Sequence, residues 1–188
     1  MDPVVPLPLP DPPLTDGAVL LRPWRDGDAP AIAAAVTDPE IPRWTRVPQP
    51  YTLQDAVGFL ASQEPMRRRG EHLGLALVAP AAPERVLGSV SLMRLHWEHG
   101  RGELGWWVAK EARRRGVATA GARLLARWAL ERVGLARIDC FVDVDNLASQ
   151  RVAERAGFVR DGVLRSWHEH RGRRRSMVSY GLLASDLR

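Results

Sequence analysis

The 188-residue sequence predicts a single mixed α/β domain, a mostly antiparallel sheet flanked by helices. Three observations carry that prediction. Three strand-like stretches, 72–79, 85–95 and 102–109, follow one another across turn-rich gaps, as an antiparallel meander requires. A helix-spaced stretch, 116–133, comes next, with Val117, Leu124, Leu125 and Trp128 at spacings of three, four and seven. The remainder then reads strand, helix, strand, strand, so the whole order is β-α-α-β-β-β-α-β-α-β-β.

The elements follow from local chemistry. "MDPVVPLPLPDPPL" carries six prolines in its first thirteen residues, so residues 1–16 are expected to form an extended, poorly ordered arm ahead of one domain over 17–188. "AVLLRPW" (18–24) reads as a strand, and "DGDAPAIAAAV" as a capped, alanine-rich helix. The proline-rich 37–51 is expected to be a long loop carrying Trp44. "TLQDAVGFLASQEPMRRR" has a threonine cap and helical spacing, with Pro65 expected to end or kink it. After the meander and its helix, "ARIDCFVDV" (136–144) is a strand and "LASQRVAERA" (147–156) a helix. Residues 157–168 and 173–183 close the sheet around an "RGRR" turn.

Composition bounds the function. With 45% hydrophobic and 26% charged residues the chain is of ordinary globular type, and no run approaches the length of apolar sequence that a spanning helix needs. The start lacks a basic region, which argues against a secretory signal. Cys140, the only cysteine, lies in an apolar strand and reads as a buried core residue, so the expected compartment is the cytoplasm. The net charge of +5 rests on arginines clustered at 67–69, 113–115 and 171–175. Such a chain could meet nucleic acid, an acidic surface or an anionic small molecule. "RGRRR" (171–175) reads first as a solvated turn that could attract an acidic partner or rRNA. His96/His99 and His168/His170 form two short pairs without a third ligand of convincing spacing, so no metal is expected.

"ARRRGVAT" places Gly116 just before a helix, where unpaired N–H groups and the positive end of the dipole suit a phosphate. The amides of Val117, Ala118 and Thr119 would point at the anion, and Arg114 and Arg115 would add charge-assisted contacts. Neither a triphosphate loop nor a dinucleotide fingerprint is present. On the next strand–helix unit, "DNLASQRVAERAGF" opens a helix at Asn146, sets Ser149 in its first turn and stops at Gly157 before Phe158. Asn146 could equally be a plain N-cap and Gly157 a plain C-cap.

With "LLRPWRDGDAPAI", "GELGWWVAKEARRRGVAT" and "NLASQRVAERAGF" together, the sequence resembles the GCN5-related N-acetyltransferase (GNAT) superfamily over residues 18–184. Within it, the chain looks like the RimJ/RimL-like branch of ribosomal-protein N-terminal acetyltransferases. The resemblance implies the GNAT acyl-CoA N-acyltransferase fold, with acetyl-CoA in a V between two splayed central strands. It implies that backbone groups at Trp106, Trp107 and Val108 meet the pantetheine, and that amides from Arg114 to Thr119 hold the diphosphate. Arg113 then occupies a position usually Gln or Arg, Asn146 bonds the cofactor chain, and Ser149 lies near the thioester sulfur. Where many relatives have glycine this chain has Arg114. A second N-terminal acetyltransferase group places a tyrosine where Ala153 stands and its base where Phe141 stands, so that group's machinery is absent.

Acetyl transfer needs a neutral amine, a polarised thioester carbonyl and a proton for the leaving thiolate. Glu103 is the candidate base, acting through water, and a strand-end carboxylate in solvent is the alternative. The amide near Val108 is the candidate partner of the thioester oxygen, and Ser149 is the candidate acid. The expected acceptor is a primary amine, foremost a protein or peptide N-terminus such as that of a ribosomal protein, touched by Trp44. A small-molecule amine (an antibiotic or polyamine) and a non-catalytic basic nucleic-acid-binding module are the alternatives. No membrane partner is expected, and a homodimer is left open.

Overall fold

The computed structural model describes residues 5–187. Seven strands form one sheet: β1 (Leu20–Pro23), β2 (His72–Ala79), β3 (Ala82–His96), β4 (Arg101–Val108), β5 (Arg137–Asp143), β6 (Val159–His170) and β7 (Arg173–Leu183). Their spatial order is β1-β2-β3-β4-β5-β7-β6. Every neighbouring pair is antiparallel except β4 and β5, which run parallel. The helices are α1 (Ala29–Val36), α2 (Glu40–Trp44), α3 (Leu53–Arg68), α4 (Val117–Trp128) and α5 (Leu147–Ala156).

The parallel pair decides the architecture. Its register holds only over Arg101↔Arg137, Gly102↔Ile138 and Glu103↔Asp139. Past Glu103 the strands part, while β3 continues to pair with β4 as far as Val108 and β7 with β5 as far as Asp143. Each strand of the resulting V therefore keeps one edge bonded and presents the other edge unpaired within the sheet. Both strands fit this role because their cores are apolar: Leu104, Ile138, Cys140 and Val142 are buried, and α4 adds Val117, Ala122, Leu125 and Trp128 to the same cluster. A second, smaller cluster joins Ala29, Ile32, Val36, Ile41 and Ala56 from α1, α2 and α3, with Trp24 edge-on to Phe59 at 5.7 Å. It sets the α2–α3 segment beside the V.

Several expectations are corrected. Residues 37–51 are not loop throughout, because Glu40–Trp44 form α2 and Trp44 ends it. Pro65 does not end α3, which continues to Arg68. The turn beyond Pro65 is held from outside: Arg67 and Arg68 both bond Glu64 (2.8 and 2.7 Å), and the Arg67 carbonyl accepts the Leu7 N–H at 3.0 Å. The helix expected over 116–133 is α only to Trp128 and closes with a π turn over Ala129–Val133. The proline-rich arm, from residue 5 onward, is docked: Leu7 is fully buried in the main core, and the Leu14 carbonyl accepts the Leu21 N–H at 2.9 Å. One leucine among prolines is enough, since an extended arm loses little entropy on docking. Leu7→Ala should lower the unfolding free energy by about 2–3 kcal/mol in a urea titration. No loss would show that the arm adds nothing to the fold.

Beneath β1, Arg22 and Asp28 form a buried fork, Nη1 to Oδ2 and Nη2 to Oδ1, both at 2.8 Å. Arg22 Nε also donates to the Pro83 carbonyl at 2.8 Å, and the Arg25 N–H to Asp28 Oδ2 at 2.8 Å. The fork ties the first strand to the helical layer and to the start of β3.

Candidate active site

Where β4 and β5 part, a cavity of about 620 Å³ opens. Its floor comes from Glu103 to Trp107 of β4 and from Cys140 to Asp143 of β5. Its far walls come from α2 and the segment after it, and from the end of β6. Glu103, Trp106, Trp107, Asn146, Ser149 and Trp44 all line it, so residues spread over more than a hundred positions of sequence meet in one space.

Glu103 faces this cavity with its side chain 17% exposed and is not the strand-end carboxylate in open solvent. It is ion-paired with Arg94. Arg94 reaches it from a bulge in β3 between Met93 and His96, where its φ is +48°. A left-handed arginine is a strained choice that costs about 1–3 kcal/mol, and here it turns the guanidinium out of the sheet toward Glu103.

Ser149 lies in the first turn of α5. Asn146 caps that helix, its Oδ1 accepting the Ser149 N–H at 3.1 Å. The cap reading of Asn146 therefore holds, and the side-chain NH2 is left over for another partner. Among the described residues nothing bonds the Ser149 hydroxyl. Helix α5 ends at Gly157 with φ +103°, and Phe158 beyond it is buried.

The turn into α4 is built differently. Gly116 precedes Val117 with φ +78°, and no atom lies within 4 Å of where its Cβ would be. No side chain caps α4, so its first amides (Val117, Ala118, Thr119) lack a protein side-chain acceptor. Arg114, also left-handed at φ +64°, and Arg115 are exposed, and among the described residues neither has an ion-pair partner. Arg113 is turned away: it pairs with Asp38, and its Nε donates to the Val108 carbonyl at 3.2 Å. Its guanidinium ties the turn to the segment after α1, and only Arg114 and Arg115 keep free charge there. This turn lies beyond the end of β4 and does not line the cavity.

The tryptophans take different places. Trp106 packs on the main core and Trp107 on the smaller cluster, while Trp128 is buried. Trp44 donates its indole N–H to Glu40 at 3.0 Å and lies under the guanidiniums of Arg43 and Arg175, 4.6 and 5.8 Å from its ring. Trp167 tilts over Phe141 at 5.9 Å and joins the lining.

Of the two histidine pairs, His168 and His170 line the cavity, while His96 ends β3 and His99 lies on the turn after it. Burial lowers the pKa of His168, with the nearby charge of Arg46 adding to the effect. His170 Nε2 is buried without a partner among the described residues. The 171–175 run is an exposed turn, as expected, but two of its arginines are tied back to the protein. Arg171 donates to the carbonyls of Pro42 and Val47, both at 3.3 Å, and Arg175 bonds Asp143 at 2.6 Å and Asp145 at 3.2 Å. Cys140 is buried, and burial together with the carboxylates of Glu103, Asp139 and Asp161 pushes its thiol pKa far up, so it stays protonated. Among the described residues no three His, Cys, Asp or Glu side chains group as metal ligands, and no helix is long and apolar enough to cross a membrane.

Arg94, Arg46 and the contact of Arg171 with the α2 region escaped the sequence reading. Each depends on partners far away in the chain or on a bulge that leaves no local signal.

A parallel pair thus opens into a cavity, with a serine hydroxyl and a carboxylate in its lining and an uncapped helix turn beyond. The comparisons make this specific. The acetyltransferase (GNAT) domain family matches residues 18–159, and the chain belongs to that family. The uncharacterized N-acetyltransferase YoaA of Bacillus subtilis (strain 168) is 26% identical over 156 residues, covering 82% of this chain and 86% of YoaA. YdaF of the same strain, assigned as a ribosomal N-acetyltransferase, is 35% identical over 96 residues, 51% of this chain and 52% of YdaF. Mycobacterium smegmatis RimJ, solved with CoA-disulfide, superposes with a TM-score of 0.81 at 22% identity, over 93% of this chain and 87% of RimJ. The chain is thus an N-acetyltransferase with acetyl-CoA as its donor and an amine as its acceptor.

Proposed function

We propose that the protein acetylates the α-amine of a peptide or protein N-terminus, by direct attack on the thioester with donor and acceptor bound together. One observation carries the reading: the cavity at the splay brings Glu103 and Ser149 into one space and continues outward between the α2–α3 segment and the β6–β7 hairpin, as an extended acceptor would need. The name of YdaF, a ribosomal N-acetyltransferase, points the same way, toward the ribosomal proteins as a source of such termini.

The residues present fit the donor. The open edges of Leu104–Val108 and Cys140–Asp143 offer backbone groups to an extended, amide-bearing arm, much as a sheet edge accepts a strand. The uncapped start of α4, with Gly116 unobstructed and Arg114 and Arg115 unpaired, suits a diphosphate. Arg113 acts here through its backbone and its hold on Val108, and not by charge. Bound acetyl-CoA supplies the activated acetyl group. Glu103 takes the amine proton through water, and the Val108 amide region offers a donor to the carbonyl oxygen as negative charge builds there. The Ser149 hydroxyl gives its proton to the departing sulfur and regains one from water, as Glu103 releases the amine proton to solvent. No acyl-serine forms, because among the described residues no histidine hydrogen-bonds the Ser149 hydroxyl to serve as its base.

Ser149→Ala and Glu103→Gln should each lower kcat about a hundredfold while leaving coenzyme A affinity near its original value. Thiol release and calorimetry measure the two quantities separately. Unchanged turnover in either variant removes that residue from the mechanism. The acceptor class is tested by thiol release with N-terminal peptides against small primary amines and polyamines. Turnover of the small amines alone would end the peptide reading.

A further inference from the structure

The charges around the cavity mouth bear on which termini are accepted, an inference that rests on the peptide reading above. Three carboxylates line the cavity, and each is already engaged. Asp55 accepts from Thr52 N and Oγ1 at 2.7 and 2.6 Å, Glu103 pairs with Arg94, and Asp143 holds Arg175 at 2.6 Å. The cations are less well matched. Arg46 lines the cavity, is exposed, and has neither an ion pair nor a side-chain hydrogen bond among the described residues. Arg171 spends its hydrogen bonds on two neutral carbonyls, so its charge is unneutralised. Both residues face a second recess of about 590 Å³, which shares Arg46, Val47, Pro48, His168 and His170 with the main cavity. The recess therefore adjoins the main cavity at the 46–48 segment and the end of β6. Its one carboxylate is the exposed Glu169.

We infer that this outer recess selects acceptors bearing negative charge one to three residues behind the reacting amine, with Arg46 and Arg171 as the reading groups. The arrangement is also unfavourable to polycationic amines, whose second charge would meet guanidiniums in a partly enclosed space. Arg46 can turn to a ligand at little cost, since it gives up no protein partner. Arg171 is fixed between α2 and the β6–β7 hairpin and presents its charge without reorganising.

The test uses the full chain, acetyl-CoA and three peptides that share a first residue and differ at the next two positions: Glu-Glu, Ala-Ala or Lys-Lys. The expected order of kcat/KM is acidic, neutral, basic, with about tenfold between steps that shrinks as salt is raised. Arg46→Glu should reverse the order, and its melting midpoint checks that it is folded. Equal use of acidic and basic peptides, or an unchanged order in Arg46→Glu, overturns the inference. If no peptide turns over, the peptide reading fails by itself. Charge selection is then read on paired small amines that differ only in a carboxylate or an amide near the nitrogen. Preference for the carboxylate supports it, and indifference overturns it.

Discussion

Gly116→Asp should weaken coenzyme A binding more than a hundredfold while the protein stays folded. Two effects combine. The new carboxylate stands before the first turn of α4 and can itself accept from the amides of Ala118 or Thr119, the groups proposed to hold the diphosphate. Its charge also opposes the diphosphate: two charges about 5 Å apart at an effective dielectric near 20 repel by about 3 kcal/mol, which is more than a hundredfold in affinity. The fold should survive because nothing lies within 4 Å of the Cβ position. Gly116→Ala is the control. It carries only the cost of a side chain at φ +78°, about 1 kcal/mol, and should change the dissociation constant by less than about tenfold. Calorimetry on both variants separates the terms. Equal, small losses would mean that the turn does not hold the diphosphate.

Asp28→Ala should cost about 3–5 kcal/mol of stability and lower the melting midpoint by about 6 to 20 °C. The loss is large because Arg22 would remain buried with its charge unanswered, and the Arg25 N–H would lose its acceptor. Replacing both partners by apolar residues should recover only part of the loss, since Arg22 also satisfies the Pro83 carbonyl. The pair makes a pH signature too. Burial tends to raise the Asp28 pKa, but the hydrogen bonds from Arg22 and Arg25 and their charges outweigh it, and the net shift is downward from 3.8. A carboxylate with a depressed pKa in the folded state contributes fully above its unfolded value and loses that contribution as pH falls through the folded one. The wild type should therefore shed stability below about pH 4, and Asp28→Ala should lack that share of the acid limb. Overlapping acid limbs in urea titrations would rule out the assignment.

What could be read from the sequence was what bonds locally. The entry to α5 is a local code: Asn146 caps a residue three positions away, and Gly157 turns the chain so that the Phe158 N–H reaches the Ala153 carbonyl. Each is decided within a handful of residues, so residue type and spacing suffice. The capping pair Thr52–Asp55 at the start of α3 belongs to the same class. Arg113 shows the limit. Three adjacent arginines look alike in sequence, yet the first is claimed by Asp38, seventy-five positions earlier, and only the other two stay free. Arg94 is a second case, since a bulge in the β3–β4 register decides which way it points. Leu7 is a third: a proline-rich arm looks loose until a groove exists to receive its one buried leucine.

Cys140 has a practical consequence. The only sulfhydryl of the protein is buried in the floor of the V and held protonated there. Disulfide dyes and maleimide fluorophores act on exposed, ionised sulfur. They can be present in excess from the first second of a reaction without tagging the enzyme, so each unit of colour counts one molecule of product and turnover can be followed continuously.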